Sequence, residues 1–183
     1  VRIERLRQRY NIRLRWVHFP LHPETPTEGM TLEALFAGRG FDVAEMNAQM
    51  AARMAAEGLP YGERTHTYNS RLAQELAKWA ETQPGGEAIH DALFRAYFVD
   101  GVNLAKSDEL VRIAGEIGLS TDEAERVIAG REFQAAIDAD WQRSHAHGVT
   151  GVPTFLADGQ AIVGAQPYEA LEQLVLAAGA QRR

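Results

Sequence analysis

The sequence predicts an α/β fold in which a small β part is interrupted by a large all-α insertion. Three observations carry that expectation. Apolar residues alternate over Ile12 to Phe19, which is the period of a strand. Helical spacing then dominates from Thr31 to Arg143. Finally, two short β-type runs flank Asp158-Gly159, a strong hairpin signal, and a last helical pattern follows them. A single strand or a lone hairpin is marginal, so the early strand and the late hairpin are expected to share one sheet.

Taken in order, Ile3, Leu6 and Tyr10 recur at helical spacing, and the arginines between them form the wet face of a helix. Asn11 is a plausible left-handed stop for it. Along the next stretch Ile12, Leu14 and Trp16 lie on one face, Arg13 and Arg15 on the other. Pro20, Pro23 and Pro26 then impose an extended loop. Leu32, Leu35 and Phe36 open a short helix that ends near Gly38 and Gly40. Val43, Met46, Met50 and Met54 trace a stripe that is expected to fill core and stops at Gly58-Leu59-Pro60. Asn69 or Ser70 is expected to cap a helix with Leu72, Leu76 and Trp79 inward. Ile89, Leu93, Phe94, Tyr97 and Phe98 give the next helix an aromatic-rich face, expected to centre the helical core. Ser107 is expected to cap the run to Ile117, and Ser120-Thr121-Asp122-Glu123 has capping-box spacing. Arg131 to His147 closes the block. Thr154 to Ala157 and Ala161 to Gly164 form the hairpin strands. Pro167 falls in the first turn of a helix that buries Leu171, Leu174 and Val175.

Composition narrows the function. The 183 residues are 45% apolar and 24% charged, ordinary for a globular chain, and the net charge of −6 argues against nucleic acid or an anionic membrane as main partner. Six arginines against one glutamate in the first fifteen residues resemble a basic arm, but a solvated helix face is the simpler account. No apolar run approaches the roughly 20 residues that span a bilayer, and a soluble cytoplasmic protein is expected. There is no cysteine, which excludes disulfides, a thiolate nucleophile and thiolate-dependent metal sites.

Candidate site residues are few. Gly151-Val152-Pro153-Thr154 stands directly before a strand. A cis bond there would turn the Val152 N–H and C=O outward, available to an extended peptide or thiol ligand; a trans proline in a tight turn is the ordinary alternative. His18 stands near the end of the first strand, where functional groups project, although a packed or solvated histidine is the commoner case. His145 and His147, two apart on a helix, point away from each other and make no metal pair. Tyr68, Asn69 and Ser70 are capping candidates; Ser70 lacks a base motif such as G-x-S-x-G. No phosphate-binding loop or dinucleotide fingerprint is present.

The segment Gly148-Val149-Thr150-Gly151-Val152-Pro153-Thr154-Phe155, with Asp158-Gly159 and Gly164-Ala165-Gln166-Pro167, resembles the C-terminal signature of DsbA-like thioredoxin-fold proteins of the FrnE type. Leu93 to Phe98 with Asp108 to Leu119 is similar to that branch's helical insertion, and Trp16 to Leu21 to its second strand and loop. The resemblance implies a thioredoxin-like domain over 1–30 and 144–183, its first strand missing, and a helical insertion domain over 31–143. It implies a cis-proline at Pro153 and a thiol–disulfide oxidoreductase whose Cys-x-x-Cys is expected before Val1. The chain as it stands has no catalytic residue by this reading and is expected to be inert toward disulfides. Substrate-binding positions are then Gly151, Val152, Pro153 and His18. No metal or resident cofactor is implied; the partners are protein or small-molecule thiols and disulfides, with glutathione among the candidates.

Two alternatives share the fold. Glutathione-dependent isomerases and transferases of the hydroxychromene-carboxylate isomerase (kappa) type have a similar Val-Pro loop and use a serine near the first helix, which would suit a chain without cysteine. A non-catalytic peptide-binding member would keep the loop without the chemistry. Residues before Val1 discriminate: Cys-x-x-Cys supports the oxidoreductase, a serine the isomerase or transferase. Substrate, redox direction and oligomeric state are not legible in the sequence.

Overall fold

A computed structural model describes residues 1–183. Contacts group the chain into two compact units, Val1–Leu21 with Ala139–Arg183, and His22–Asp138. No helix is long and apolar enough to cross a membrane.

In the first unit, helix α1 (Arg2–Arg9) turns Leu6 into a core completed by Tyr10, Tyr168 and Leu171, with Ile3, Ile12 and Phe155 packed against it. The helix does not end on a left-handed Asn11. Tyr10 is extended (φ −126°, ψ 147°) and pairs as a single antiparallel bridge with Arg182. The expected strand over Ile12 to Phe19 is not formed. Ile12 and Leu14 are half-buried while Arg13 and Arg15 are exposed, but Trp16, expected on the same face as Ile12 and Leu14, is 41% exposed, so the alternation sorts side chains only over the first four residues. A strand also needs a neighbour for its N–H and C=O groups, and no other strand meets this segment.

The late hairpin forms as β3 (Thr154–Ala157) and β4 (Gln160–Val163), following two short strands of the other unit given below. Asp158 (φ 46°) and Gly159 (φ 75°) are both left-handed, the backbone that a two-residue type I′ turn requires. Thr154 lies opposite Val163 and Phe155 opposite Ile162. The hairpin is not joined to Ile12–Phe19, so the shared sheet expected from the sequence is a correction: β3 and β4 pair only with each other. Helix α9 (Tyr168–Ala177) packs on them and buries Tyr168, Leu171 and Leu174; Pro167 precedes its first turn as the cap.

The second unit is mainly helical. The expectation of a helical pattern from Thr31 omitted one feature, since β1 (Met30–Thr31) and β2 (His66–Thr67) pair antiparallel. Helices α2 (Leu32–Phe36) and α3 (Val43–Ala56) lie between them in sequence. The methionine stripe of α3 is not core: the helix buries no residue and Met50 is 41% exposed. Six of its fourteen residues are alanine, so intrinsic propensity supports it with little burial.

The core of this unit is built by α4 (Arg71–Ala80), α5 (Ile89–Phe98), α6 (Ser107–Glu116) and α7 (Thr121–Ala129) around Leu76, Ile89, Leu110, Ile113 and Val127. Of the α5 aromatics expected at its centre, Phe94 is 54% exposed. Asn69, not Ser70, accepts the Arg71 amide at 2.9 Å, and Ser107 is the first residue of α6 rather than its side-chain cap. Ser120 caps α7 through the Glu123 amide. The division between the units falls within α8 (Gln134–Ala146).

Candidate functional site

Within the first unit the chain leaves α8 through Gly148, whose successor Val149 donates its N–H to the Ser144 carbonyl at 3.0 Å. The loop then runs to β3. Thr154 Oγ1 donates to the Gly151 carbonyl at 2.7 Å, and the Pro153 carbonyl accepts from Gly164 N–H at 2.7 Å. These two bonds hold the loop at both ends. Between them the Val152–Pro153 peptide bond is cis, Val152 is 49% exposed, and its own N–H and C=O have no partner within the chain. The result is a short strip of unpaired backbone at the entrance to a strand, beside an exposed apolar side chain. Such a strip can accept an extended peptide by main-chain bonds.

His18 is held differently. Its N–H donates to Asp140 Oδ2 at 3.2 Å, and its Nδ1 stands 3.2 Å from the same oxygen. Ser144 Oγ lies within hydrogen-bond reach of the His18 carbonyl (3.1 Å) and of the Asp140 carbonyl (3.0 Å). Asp140 and Ser144, one turn apart on α8, therefore anchor both backbone groups of His18. The contact between Nδ1 and the Asp140 carboxyl orients the ring. The His18 side chain is 13% exposed. Neither Asp140 nor Ser144 was signalled by any local motif, because their partner lies more than 120 residues away. His145 meets the Phe19 ring edge-on, with centroids 6.5 Å apart. No group of three or more His, Cys, Asp or Glu side chains stands close enough to hold a metal ion.

The second unit contains a buried ionic cluster that the sequence did not single out. Glu75, 2% exposed, accepts Arg71 Nε at 2.7 Å and both Nε and Nη2 of Arg131, at 2.8 and 2.7 Å. Burial pushes the Glu75 carboxyl up, but hydrogen bonds from Arg131 and Arg71 outweigh it and hold it below the ordinary range. A cavity of about 530 Å³ beside α2 and α3 is lined by Phe36, Phe41 and Val43; it carries none of the candidate residues above.

The sequence matches a family model, the DSBA-like thioredoxin domain, over residues 1–176. The chain belongs to this DSBA-like family. Its architecture is accordingly the DsbA-like thioredoxin fold, an α/β fold with a helical insertion, and the family is one of thiol–disulfide oxidoreductases. Among solved structures, the DSBA-like chain resembles a probable DsbA oxidoreductase from Streptomyces coelicolor with a TM-score of 0.79 and 27% identity, covering 87% of this chain and 72% of that one. It shares the fold of the cytosolic disulfide reductase DsbM from Pseudomonas aeruginosa (TM-score 0.52, 23% identity, 70% of this chain and 74% of that one). A 2-hydroxychromene-2-carboxylate isomerase also shares it (TM-score 0.68, 16% identity, 97% and 85%). No curated protein matches the sequence at a significant level.

Proposed function

We propose that this chain is an FrnE-like member of the thiol–disulfide oxidoreductase family, and that Gly151, Val152 and Pro153 receive an extended thiol- or disulfide-bearing segment. The unpaired Val152 N–H and C=O carry this reading. A bound segment would satisfy both groups as a strand neighbour does, while the Val152 side chain covers its apolar flank. His18, oriented by Asp140, is a second candidate contact within the same unit. The proposed division is a thioredoxin-like domain over 1–30 and 144–183 around a helical insertion over 31–143. A cytoplasmic location belongs to the same reading.

With no cysteine the chain forms no mixed disulfide, so it docks without exchanging. Two measurements test this. In amide spectra of the full chain titrated with oxidised glutathione or a disulfide-bridged peptide, Gly151, Val152 and Thr154 are expected to shift first and saturably. Shifts confined to other segments, or none, would remove the docking role. Insulin reduction by the chain alone is expected to stay at the uncatalysed rate.

The absence of cysteine also favours a second reading, a glutathione-dependent isomerase or transferase of the hydroxychromene-carboxylate isomerase type. Glutathione would then bind while non-glutathione disulfide peptides would not. The same titration separates the two.

A further inference from the structure

Helix α1 and the carboxyl-terminal segment meet although the whole chain separates them. Asn11 N–H donates to the Gln181 carbonyl at 2.8 Å and Arg183 N–H to the Arg9 carbonyl at 2.9 Å, on either side of the Tyr10–Arg182 bridge. The junction gathers three guanidinium groups around two tyrosine rings. Arg5 lies 3.8 Å and Arg9 5.6 Å from the Tyr168 ring centroid, and Arg182 lies 6.0 Å from that of Tyr10. All three arginines are exposed, whereas both tyrosines are buried.

Negative charge at this junction does not balance them. Glu172 is the one carboxylate paired here, 3.8 Å from Arg9 Nη1, and its Oε1 already accepts the hydroxyls of Tyr10 (2.9 Å) and Tyr168 (3.0 Å). Arg5 and Arg182 form no ion pair. The carboxyl end of α1 adds at most about half a negative charge. Three guanidinium groups therefore share one paired carboxylate side chain, Glu172. The asymmetry extends to the unit, which holds nine arginines against five carboxylates, while the helical unit holds ten basic and twenty acidic residues.

Stacking on a ring fixes a guanidinium plane. Arg9 also stands against the Tyr168 hydroxyl and Arg182 against the Tyr10 hydroxyl, and the N–H groups not used there, with those of Arg5, remain for bonds to an oxyanion. Arg5 and Arg9, one helical turn apart, stand about 6 Å apart along the axis, a span that an oligophosphate bridges and a single carboxylate does not. We propose that Arg5, Arg9 and Arg182 form a binding site for an oligophosphate, separate from the Val152 loop. The chemistry read is a chain of phosphoryl oxygens, supplied by inorganic oligophosphate or by the phosphate tail of a nucleotide.

Calorimetric titration of the full chain with sodium tripolyphosphate tests this, with adenosine triphosphate as a parallel arm. One saturable site is expected, with affinity falling at least tenfold in the Arg5→Gln/Arg9→Gln double variant and in Arg182→Gln. The Arg13→Gln/Arg15→Gln variant removes equal charge outside the cluster and is expected to change affinity less than twofold. Equal affinity for the two ligands assigns recognition to the phosphates alone; tighter binding of the nucleotide assigns it as the source. Absence of saturable binding to either ligand, or equal losses in both double variants, overturns the proposal. Arg182→Gln leaves α1 unaltered and changes one exposed residue that contacts Tyr10, so the test survives if the α1 double variant fails to fold.

Discussion

Glu75 shows how one side chain can set the acid stability of a whole unit. Its carboxylate is buried and ligated by Arg71 and Arg131, and Arg131 itself sits at φ 50°, a left-handed backbone costly for any residue but glycine. Glu75→Gln is expected to lower stability by about 2 kcal/mol, since it replaces the buried carboxylate that accepts both guanidiniums, although Arg71 keeps Asp138 at 2.7 Å and Arg131 is 42% exposed. Chemical denaturation at pH 7 reads this as a lower midpoint with unchanged slope. The pH dependence follows from the same contacts. The folded carboxyl holds its proton less tightly than the unfolded one, so the unfolded chain takes up more protons in acid. The contribution is complete above the ordinary carboxylate value of about 4.3 and is lost as pH falls through the lower folded value. Midpoints measured from pH 6 to pH 3 are expected to converge for Glu75→Gln and the parent; parallel curves would show that another group governs. None of this was legible beforehand, because Arg71, Glu75 and Arg131 carry no motif and only packing brings the third to the other two.

Elements depend on backbone conformation and close approach as much as on apolar pattern. The β3–β4 hairpin was readable from Asp158-Gly159 because its turn type follows from local residues alone. Gly159→Ala meets no neighbouring atom within 4 Å, so its cost is purely conformational, about 1 kcal/mol, measured as a small drop in thermal midpoint. Gly86 is the opposite case. A Cβ there would stand 1.7 Å from the Ala80 carbonyl oxygen, where the chain turns back from α4. Gly86→Ala is expected to cost about 3 kcal/mol, and a midpoint shift no larger than that of Gly159→Ala would mean the turn can move aside. The strand read over Ile12 to Phe19 failed for a reason at this same scale. Alternation states which side chains face inward, but a ladder needs a second backbone, and here Asp140 and Ser144 hold His18 instead.

Across the whole molecule, stability is expected to be unevenly spread. The helical unit surrounds Leu76, Ile113 and Val127 with α4 to α7, whereas the β part of the other unit is a two-stranded hairpin. Amides of Leu76, Ile113 and Val127 are expected to exchange with solvent about a hundredfold more slowly than those of Phe155 and Ile162, which face each other in the hairpin. Comparable protection of both sets would show that the hairpin is supported more firmly than a two-stranded pair allows. The sequence by itself determined the order of helices, the hairpin, the absence of cysteine from these 183 residues and the family signature around Val152-Pro153. Each of these is written in neighbouring residues or in simple presence and absence. Tertiary structure alone decided that α3 stays unburied, that His18 answers to Asp140, and that Arg182 returns beside Arg5 and Arg9. Those outcomes depend on which distant segments compete for the same contacts, and local periodicity holds no record of that competition.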